Sequence, residues 1–165
     1  MATEVIVTVG PSAGADEPTL NAALAAQAAI RADLVASDEA LVFECEAFTD
    51  TASVDFSAFT TSTTNTIPVR PASGAEHGGD RTAGYILERP DDAIKNGFRY
   101  SYIENITIKV TSGLADAILD GFNCTAKNVI AYTTSSSTGD GFELISKAIN
   151  CLAEGFDIGF LTGFL

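Results

Sequence analysis

Short runs in which apolar and polar residues alternate, rich in β-branched side chains, dominate the chain and predict β-strands. The predicted strands cover residues 4–9, 41–46, 53–59, 67–70, 84–87 and 98–103. Gly, Pro, Asn and Ser separate these segments, as expected for turns, and the Gly-rich region 72–82 is predicted to be a polar loop. Pro68 and Pro71 cannot donate to a strand ladder, so they restrict segment 67–70 to a sheet edge or a short strand.

One segment has the period of an α-helix instead. Leu20, Leu24 and Ala28 recur at every fourth position and line one side of a helix that we expect to end near residues 30–31. Asp16 is the expected N-cap, because a short side-chain acceptor there can bind free backbone N–H groups of the first turn. The apolar stripe is narrow, which is typical of a helix that lies across one surface.

The final third of the chain contains an internal repeat. Its units begin at Asn105, Asn128 and Asn150, which are 23 and 22 residues apart, and each Asn precedes a short apolar strand. Asn tolerates a left-handed bend, and its side-chain amide can bind the amide of the next unit. A second repeated segment covers residues 115–119, 139–144 and 154–158. Strands this short at this period predict a β-solenoid, in which each turn stacks on the previous one.

Equivalent side chains of a solenoid form columns inside the coil. The predicted apolar columns are Ile106, Val129 and Cys151, and Ile118, Phe142 and Phe156. An antiparallel sandwich with strands of similar length is the alternative fold. A sandwich would not by itself require three units in register, so the repeat favours the solenoid.

Length and charge limit the domain organisation and the partners. The 165 residues, 46% of them hydrophobic, suit a single domain, with a strand and helix in 1–35, irregular first turns in 36–100 and regular turns in 101–165. Nine basic against 22 acidic residues leave a net charge of −13. Nucleic acids and anionic membrane surfaces are therefore not expected as partners, because both require clustered Lys and Arg.

The residue inventory argues against a metal or disulfide framework. The chain has one His and three widely spaced cysteines, Cys45, Cys124 and Cys151, without a C-x-x-C pair. Buried free thiols are the expected state, although Cys124 and Cys151 would meet if they stacked on neighbouring turns. No cofactor is expected. Neither a signal peptide nor an apolar stretch long enough to span a membrane is evident in the sequence.

The repeat units also resemble rungs of the right-handed parallel β-helix, the pectin-lyase-like fold. The similarity lies in residues 128–132, 139–144 and 148–159. The first strand, the Gly-containing loop and the helix start at 18–24 are similar to the N-terminal cap of β-helix proteins on bacteriophage particles, and 34–50 extends that likeness. The resemblance implies an all-β fold, a short right-handed parallel β-helix (solenoid) with an N-terminal capping α-helix.

Enzymes of that family cleave acidic polysaccharides with grouped carboxylates or with a basic residue and Ca²⁺. The candidate carboxylates are Asp116, Asp120, Asp140, Glu143 and Asp157. Asp116 and Asp140 are 24 residues apart and would stack on one face, where two like charges raise one pKa. The alternative, which we prefer, is that Asp in these Gly-containing turns binds its own backbone and shapes the corner.

A second candidate group is His77 with Glu76, Asp80 and Arg81 in the loop 72–82. These residue types could form an acid/base group, but a solvated surface loop explains them equally simply. We therefore assign no catalytic residue and no metal ligand from the sequence.

The C-terminal segment is strongly apolar. Phe160, Leu161, Phe164 and Leu165 are expected to be covered, either by folding back or by another chain, because their exposure would cause aggregation. We predict that they form a subunit interface. A homotrimer is expected, since the phage proteins that the chain resembles are commonly trimeric.

The resemblance and the charge together suggest a non-enzymatic bacteriophage virion structural protein. The expected role is capsid decoration or cementing, on the outer capsid surface, with the major capsid protein as partner. The alternative is a short tailspike or fibre module that binds or cleaves surface polysaccharide. The short chain, the absence of Trp and the lack of an assembled acid/base group favour the structural role.

Overall fold

The computed structural model describes residues 2–97, 99–135 and 139–161, except for the side chain of Leu161. Two helices lie at Leu20–Arg31 (α1) and Leu34–Ser37 (α2). The strands are Thr3–Val9 (β1), Glu39–Cys45 (β2), Thr49–Asp50 (β3), Val54–Asp55 (β4), Ile67–Pro71 (β5), Ile86–Arg89 (β6), Ile94–Lys95 (β7), Ser101–Glu104 (β8), Thr107–Val110 (β9), Ile118–Leu119 (β10), Cys124–Lys127 (β11), Ile130–Thr133 (β12), Asp140–Glu143 (β13), Lys147–Ile149 (β14), Leu152–Glu154 (β15) and Ile158–Leu161 (β16).

The strands form three sheets. Sheet I has the order β1-β2-β5-β8-β11-β14, sheet II β3-β6-β9-β12-β15 and sheet III β4-β7-β10-β13-β16. From β2 onward the chain visits the three sheets in rotation, and we call each set of three strands a rung: rung 1 is β2–β4 and rung 5 is β14–β16. Such connectivity is that of a parallel β-helix-like fold.

Every strand pairing in the described part of the chain is parallel, which excludes the antiparallel sandwich. The asparagine repeat is confirmed in register, since Thr107, Ile130 and Leu152 lie side by side in sheet II. Tight hairpins cannot join parallel strands, so the paired residues are separated by a long stretch of the sequence.

Apolar side chains stack rung upon rung in the core. The column of sheet III consists of Val54, Ile94, Ile118, Phe142 and Phe160. The prediction that Phe156 completes this column is wrong, because Phe142 pairs with Phe160, whereas Phe156 is only partly buried against the core. Phe156 and Phe160 follow Phe142 by 14 and 18 residues, whereas Phe142 follows Ile118 by 24, so the spacing in the sequence does not decide between the two phenylalanines.

Strand β5 differs from its prediction in position. Its two prolines suggested a sheet edge, yet β5 lies inside sheet I between β2 and β8. The alternative of a short strand is correct. Neighbouring donors are still satisfied at both ends of β5, since Ile67 donates to Tyr100 O at 3.0 Å and Ala72 donates to Cys45 O at 2.7 Å.

Helix α1 packs against β1, β2 and β4, the first strands of sheets I and III. Leu20 and Leu24 of the predicted stripe are buried, Ala28 is partly buried against the core, and Ala23 is buried as well. The predicted cap at Asp16 is wrong, because Thr19 is the N-cap and its side chain accepts from Ala22 N. Asp16 instead accepts from the backbone and side chain of Thr8, and these hydrogen bonds lower the pKa of Asp16.

A buried carboxylate ties α1 to the coil. Asp50 lies in β3 at the position where the next rung has Leu87, and it is 1% exposed. Its Oδ2 accepts from Leu20 N at 2.8 Å and from Tyr85 Oη at 3.1 Å, and its Oδ1 accepts from Ala52 N at 2.9 Å. Because Leu20 is the first residue of α1, the Asp50 carboxylate lies at the N-terminus of the helix, where the helix dipole stabilises a negative charge.

We predict that Asp50→Asn lowers the free energy of unfolding by about 3 kcal/mol, because the amide weakens charge-assisted hydrogen bonds and leaves a donor facing buried donors. Thr19→Ala is the matched control at the same helix end and should cost about 1 kcal/mol. Urea unfolding followed by circular dichroism measures both. An Asp50→Asn effect no larger than that of Thr19→Ala would contradict the anchoring role.

Candidate functional site

Rung 5 is an open end of the three sheets. Within the described chain, β14, β15 and β16 each pair on one side only, with β11, β12 and β13. Large apolar side chains are exposed there: Ile149 by 37%, Leu152 by 51%, Ile158 by 44% and Phe160 by 42%. Unpaired parallel strand edges combined with exposed apolar side chains are the features of a surface that another strand or chain covers.

The interface predicted from the sequence coincides with this end in part. The Phe160 ring stacks on Phe142 with centroids 4.9 Å apart, so its other face is directed away from rung 4. Leu161 pairs through its backbone with Glu143, and its side chain lies outside the described part. Phe164 and Leu165 lie outside the described residues altogether.

Sequence reasoning missed three members of this surface, Ile149, Leu152 and Ile158. The repeat contained the signal for Leu152, because its counterpart Ile130 stands on the outer side of the preceding rung. An outward position in a last rung has no following rung or loop to shield it. The sequence analysis assigned the interface to the most apolar segment at the C-terminus, and it therefore did not include these residues.

Aspartates form a ladder along one corner of the coil. Asp116 N donates to Asp92 Oδ1 at 3.1 Å, and Asp140 N donates to Asp116 Oδ1 at 2.5 Å. The carboxylates of Asp92 and Asp116 therefore bind the backbone of the following rung. For Asp116 this corrects the prediction that it binds its own turn, whereas the same prediction for the Asp140 carboxylate stays a prediction. Asp92 was missed, although it precedes Asp116 by the same 24 residues that separate Asp116 from Asp140.

The predicted crowding of like charges is present at this ladder. Burial raises the pKa of Asp116, and the charges of Asp92 and Asp140 raise it further. Burial also raises the pKa of Glu143, whose Oε2 is buried without a donor among the described residues, and Asp116 adds to that effect.

The two remaining candidate carboxylates act on this group by charge. Asp120 contributes to the raised pKa of Glu143, and Asp157 contributes to that of Asp140 after burial. Such carboxyl groups can hold a proton at higher pH than usual. Within the described chain, no group of three or more His, Cys, Asp and Glu side chains is placed to hold a metal ion.

A second ladder consists of asparagine amides. Asn128 Nδ2 donates to Asn105 Oδ1 and Asn150 Nδ2 donates to Asn128 Oδ1, both at 2.8 Å. The three residues have φ values of 55°, 52° and 51°. Both properties predicted for the repeated Asn, the left-handed bend and the amide ladder, are confirmed.

The loop 72–82 is a surface loop, as predicted, with Glu76, Asp80 and Arg81 exposed, and it is in addition anchored on this asparagine ladder. His77 Nδ1 accepts from Gly79 N at 2.8 Å, so Nε2 carries the proton and donates to Asn128 O at 2.6 Å. Arg81 pairs with Glu154 at 3.2 Å, and its guanidinium lies 5.1 Å from the Tyr132 ring centroid. Both ring nitrogens of His77 are thus engaged with backbone.

The anchored loop and sheet II enclose a cleft of about 510 Å³. It is lined by Glu76, His77, Gly78, Gly79, Asn105, Asn128, Ile130, Asn150 and Leu152. The predicted acid/base group is not assembled here, because Arg81 is bound to Glu154 and Asp80 accepts from Thr82. The cleft opens toward rung 5, so its amide wall is continuous with the open end.

All three cysteines are free thiols, as expected. Cys45 and Cys124 are fully buried, and burial raises the pKa of Cys124 to about 12. Cys151 is partly exposed at the corner between β14 and β15. Its thiol is therefore the most accessible of the three to a reagent. No helix in the described residues is sufficiently long and apolar to cross a bilayer.

We predict that Asn128→Ala lowers the free energy of unfolding by about 2–3 kcal/mol. The substitution removes the two side-chain hydrogen bonds to Asn105 and Asn150, and it forces alanine to a positive φ. Asn128→Gly, which adopts this φ freely, should be milder. Thermal unfolding of both variants is the measurement. Equal stability of Asn128→Ala and the wild type would show that the ladder contributes nothing.

A second prediction concerns pH. The folded protein holds protons on Asp116, Asp140 and Glu143 more tightly than the unfolded chain, so stability falls as the pH rises above about 4 through the raised pKa values. Glu143→Gln should make this fall shallower and raise Tm at pH 7. The gain should be on the order of 1 kcal/mol or less because solvent screens the group.

The matched control for this pH effect is Glu4→Gln, which changes the net charge equally at an exposed residue of β1. Asp16 and Asp80, whose pKa values are lowered by hydrogen bonds, destabilise the fold only when the pH falls below this window. Thermal scans from pH 4 to pH 7 compare the two variants. The same pH profile for Glu143→Gln and Glu4→Gln would contradict the crowding at the aspartate ladder.

Comparison with known proteins identifies no relative of this chain. No protein-family model matched the sequence, and no curated protein and no solved structure matched it either. The function must therefore be argued from the open rung, the two ladders and the anchored loop.

Proposed function

We propose that this protein is a non-enzymatic structural subunit that acts by assembly through rung 5. The observation that carries the proposal is the combination of three unpaired strand edges with four exposed apolar side chains at one end of the coil. Partial burial of four such side chains contributes roughly 3–6 kcal/mol, which is sufficient to support a subunit contact.

The proposed fold is a closed, right-handed parallel β-helix with α1 as the lid of its first rung. Parallel strands joined by crossovers within a sheet are right-handed in nearly all proteins, which supports this hand. Leu20, Ala23 and Leu24 of α1 are buried at the first strands, whereas rung 5 has no equivalent cover in the described chain. The two ends of the described chain therefore differ, and we place the assembly contact at rung 5, where no helix covers the strands.

We propose a bacteriophage virion as the setting, with the protein decorating or cementing the outer capsid surface as a homo-oligomer bound to the major capsid protein. The support is the likeness of residues 4–60 and 101–160 to virion β-helix proteins, together with a net charge of −13. A strongly acidic surface suits the outside of a shell, because it would repel the packaged nucleic acid on the inside.

The engagement of the chemical side chains supports a non-enzymatic role. Asp92 and Asp116 accept backbone hydrogen bonds between rungs, and His77 is held by two backbone groups. A short tailspike or fibre module that cleaves polysaccharide would require these groups to be free for substrate. Turnover of an acidic polysaccharide that is lost in Glu143→Gln would contradict the proposal.

Assembly through rung 5 predicts that the wild type is an oligomer at micromolar concentration and that Phe160→Ser or Leu152→Ser shifts it toward monomer. Tyr102→Ser is the matched control, because Tyr102 is a similarly exposed side chain, 39%, in β8 of sheet I. Size-exclusion chromatography with light scattering measures the mass. A monomeric wild type, or a Tyr102→Ser effect equal to that of Phe160→Ser, would count against assembly through this end.

The virion setting has its own test. An electron cryomicroscopy map of phage particles that contain the protein should show it on the capsid exterior, in symmetric copies. Density confined to the tail tip would favour the fibre alternative.

A further inference from the structure

The two strands that flank the Asn150–Cys151 corner of rung 5 are complementary to each other when one is reversed. Strand β14 reads Lys147-Ala148-Ile149 and β15 reads Leu152-Ala153-Glu154. Set antiparallel, the first strand places its lysine opposite the glutamate, alanine opposite alanine and isoleucine opposite leucine. Opposite charges and apolar pairs directly across two strands each stabilise an antiparallel contact.

The backbone groups at the open edge match the same register. Ile149 O accepts from Asn128 N, and Leu152 N donates to Val129 O, so both residues direct their backbone toward rung 4. Because successive residues of a strand face opposite neighbours, Ala148 and Ala153 present their N–H and C=O groups to the open side. Residues directly opposite in an antiparallel pair exchange both bonds, and here those residues would be the two alanines.

Resting on assembly through rung 5, we propose that the partner is a second copy of this chain, bound end to end about a twofold axis. Strand β14 of each copy pairs antiparallel with β15 of the other, and each lysine–glutamate pair forms twice. The axis passes beside the Asn150–Cys151 corner. On the far side of the coil, β16 pairs with its own copy about Gly159, which sets Ile158 against Phe160 of the partner subunit.

The charges around this contact are consistent with the pairing. Lys147 is exposed and has no ion pair in the described chain, while Glu154 binds Arg81 through Oε2 and keeps its Oε1 free. The opposite end of the coil carries α1, which packs against β1, β2 and β4, so the two ends do not present the same surface. A twofold contact closes on itself and does not propagate into fibres.

A charge-swap experiment tests the proposed register. Lys147→Glu sets two glutamates against each other and Glu154→Lys sets two lysines, so each variant should weaken dimerisation by roughly tenfold, since the contact occurs twice. The double variant restores opposite charges and should recover the wild-type dissociation constant. Arg81→Gln, which only removes the pair within one chain, is the control and should leave the dimer unchanged.

Cross-linking provides an independent readout. The twofold axis brings Cys151 of the two copies together, whereas Cys45 and Cys124 are buried. A short bismaleimide should therefore convert the full chain into a covalent dimer, and Cys151→Ser should abolish this product. Circular dichroism checks that every variant remains folded.

The outcomes separate this inference from the assembly proposal. A dimer that responds to the charge swap and cross-links at Cys151 supports both. An oligomer that requires Phe160 but ignores the charge swap, or a trimer by sedimentation equilibrium, overturns the twofold pairing and leaves assembly through rung 5 intact. A monomeric wild type overturns both, and exposure of Phe160 to solvent in Phe164→Ser/Leu165→Ser would then identify the chain's own tail as the cover.

Discussion

The stacking of each residue on its counterpart in the previous rung is the constraint on which this structure depends. Parallel pairing between the rungs sets Ile94, Ile118 and Phe142 one above the other and builds the apolar core from segments that are distant in the sequence. The same register places amide on amide and carboxylate on backbone donor. Polar residues are therefore tolerated at corners, because each hydrogen-bonding group finds its partner one rung away.

Stacking of this kind satisfies the strand hydrogen bonds and apolar contacts of the inner rungs. It does not satisfy those of the first and last rungs, because each of them lacks one neighbour. At the first rung the chain uses a helix held by Asp50, a buried charge with three hydrogen-bond donors. At rung 5 the described residues contain no such element, and the sheet edges stay open. This asymmetry between the ends is the observation on which the proposal of assembly through rung 5 rests.

Asp and His residues that the sequence offers as catalytic candidates make contacts between rungs, or between a loop and a rung, in the structure. Asp92 and Asp116 hold neighbouring rungs together through their carboxylates. Burial raises the pKa values of Asp116 and Glu143, and the charges of neighbouring aspartates along this corner raise them further. His77 fastens a loop to the asparagine ladder through backbone groups on both sides. In the described structure these side chains therefore join neighbouring rungs and fasten a loop to the coil.

Local patterns in the sequence determined strands β1, β2 and β5, helix α1, the left-handed asparagines and the register of the asparagine repeat, since each depends on neighbouring residues or on a fixed period. Tertiary structure decided what depends on distant partners. It placed Phe160, and not Phe156, in the core column through the pairing of β13 with β16, and it made Thr19 the cap while Asp16 bound Thr8. It also joined Asp50 to Leu20 and Tyr85. These contacts join residues that are separated in the sequence, and a local pattern does not specify which separated residues meet.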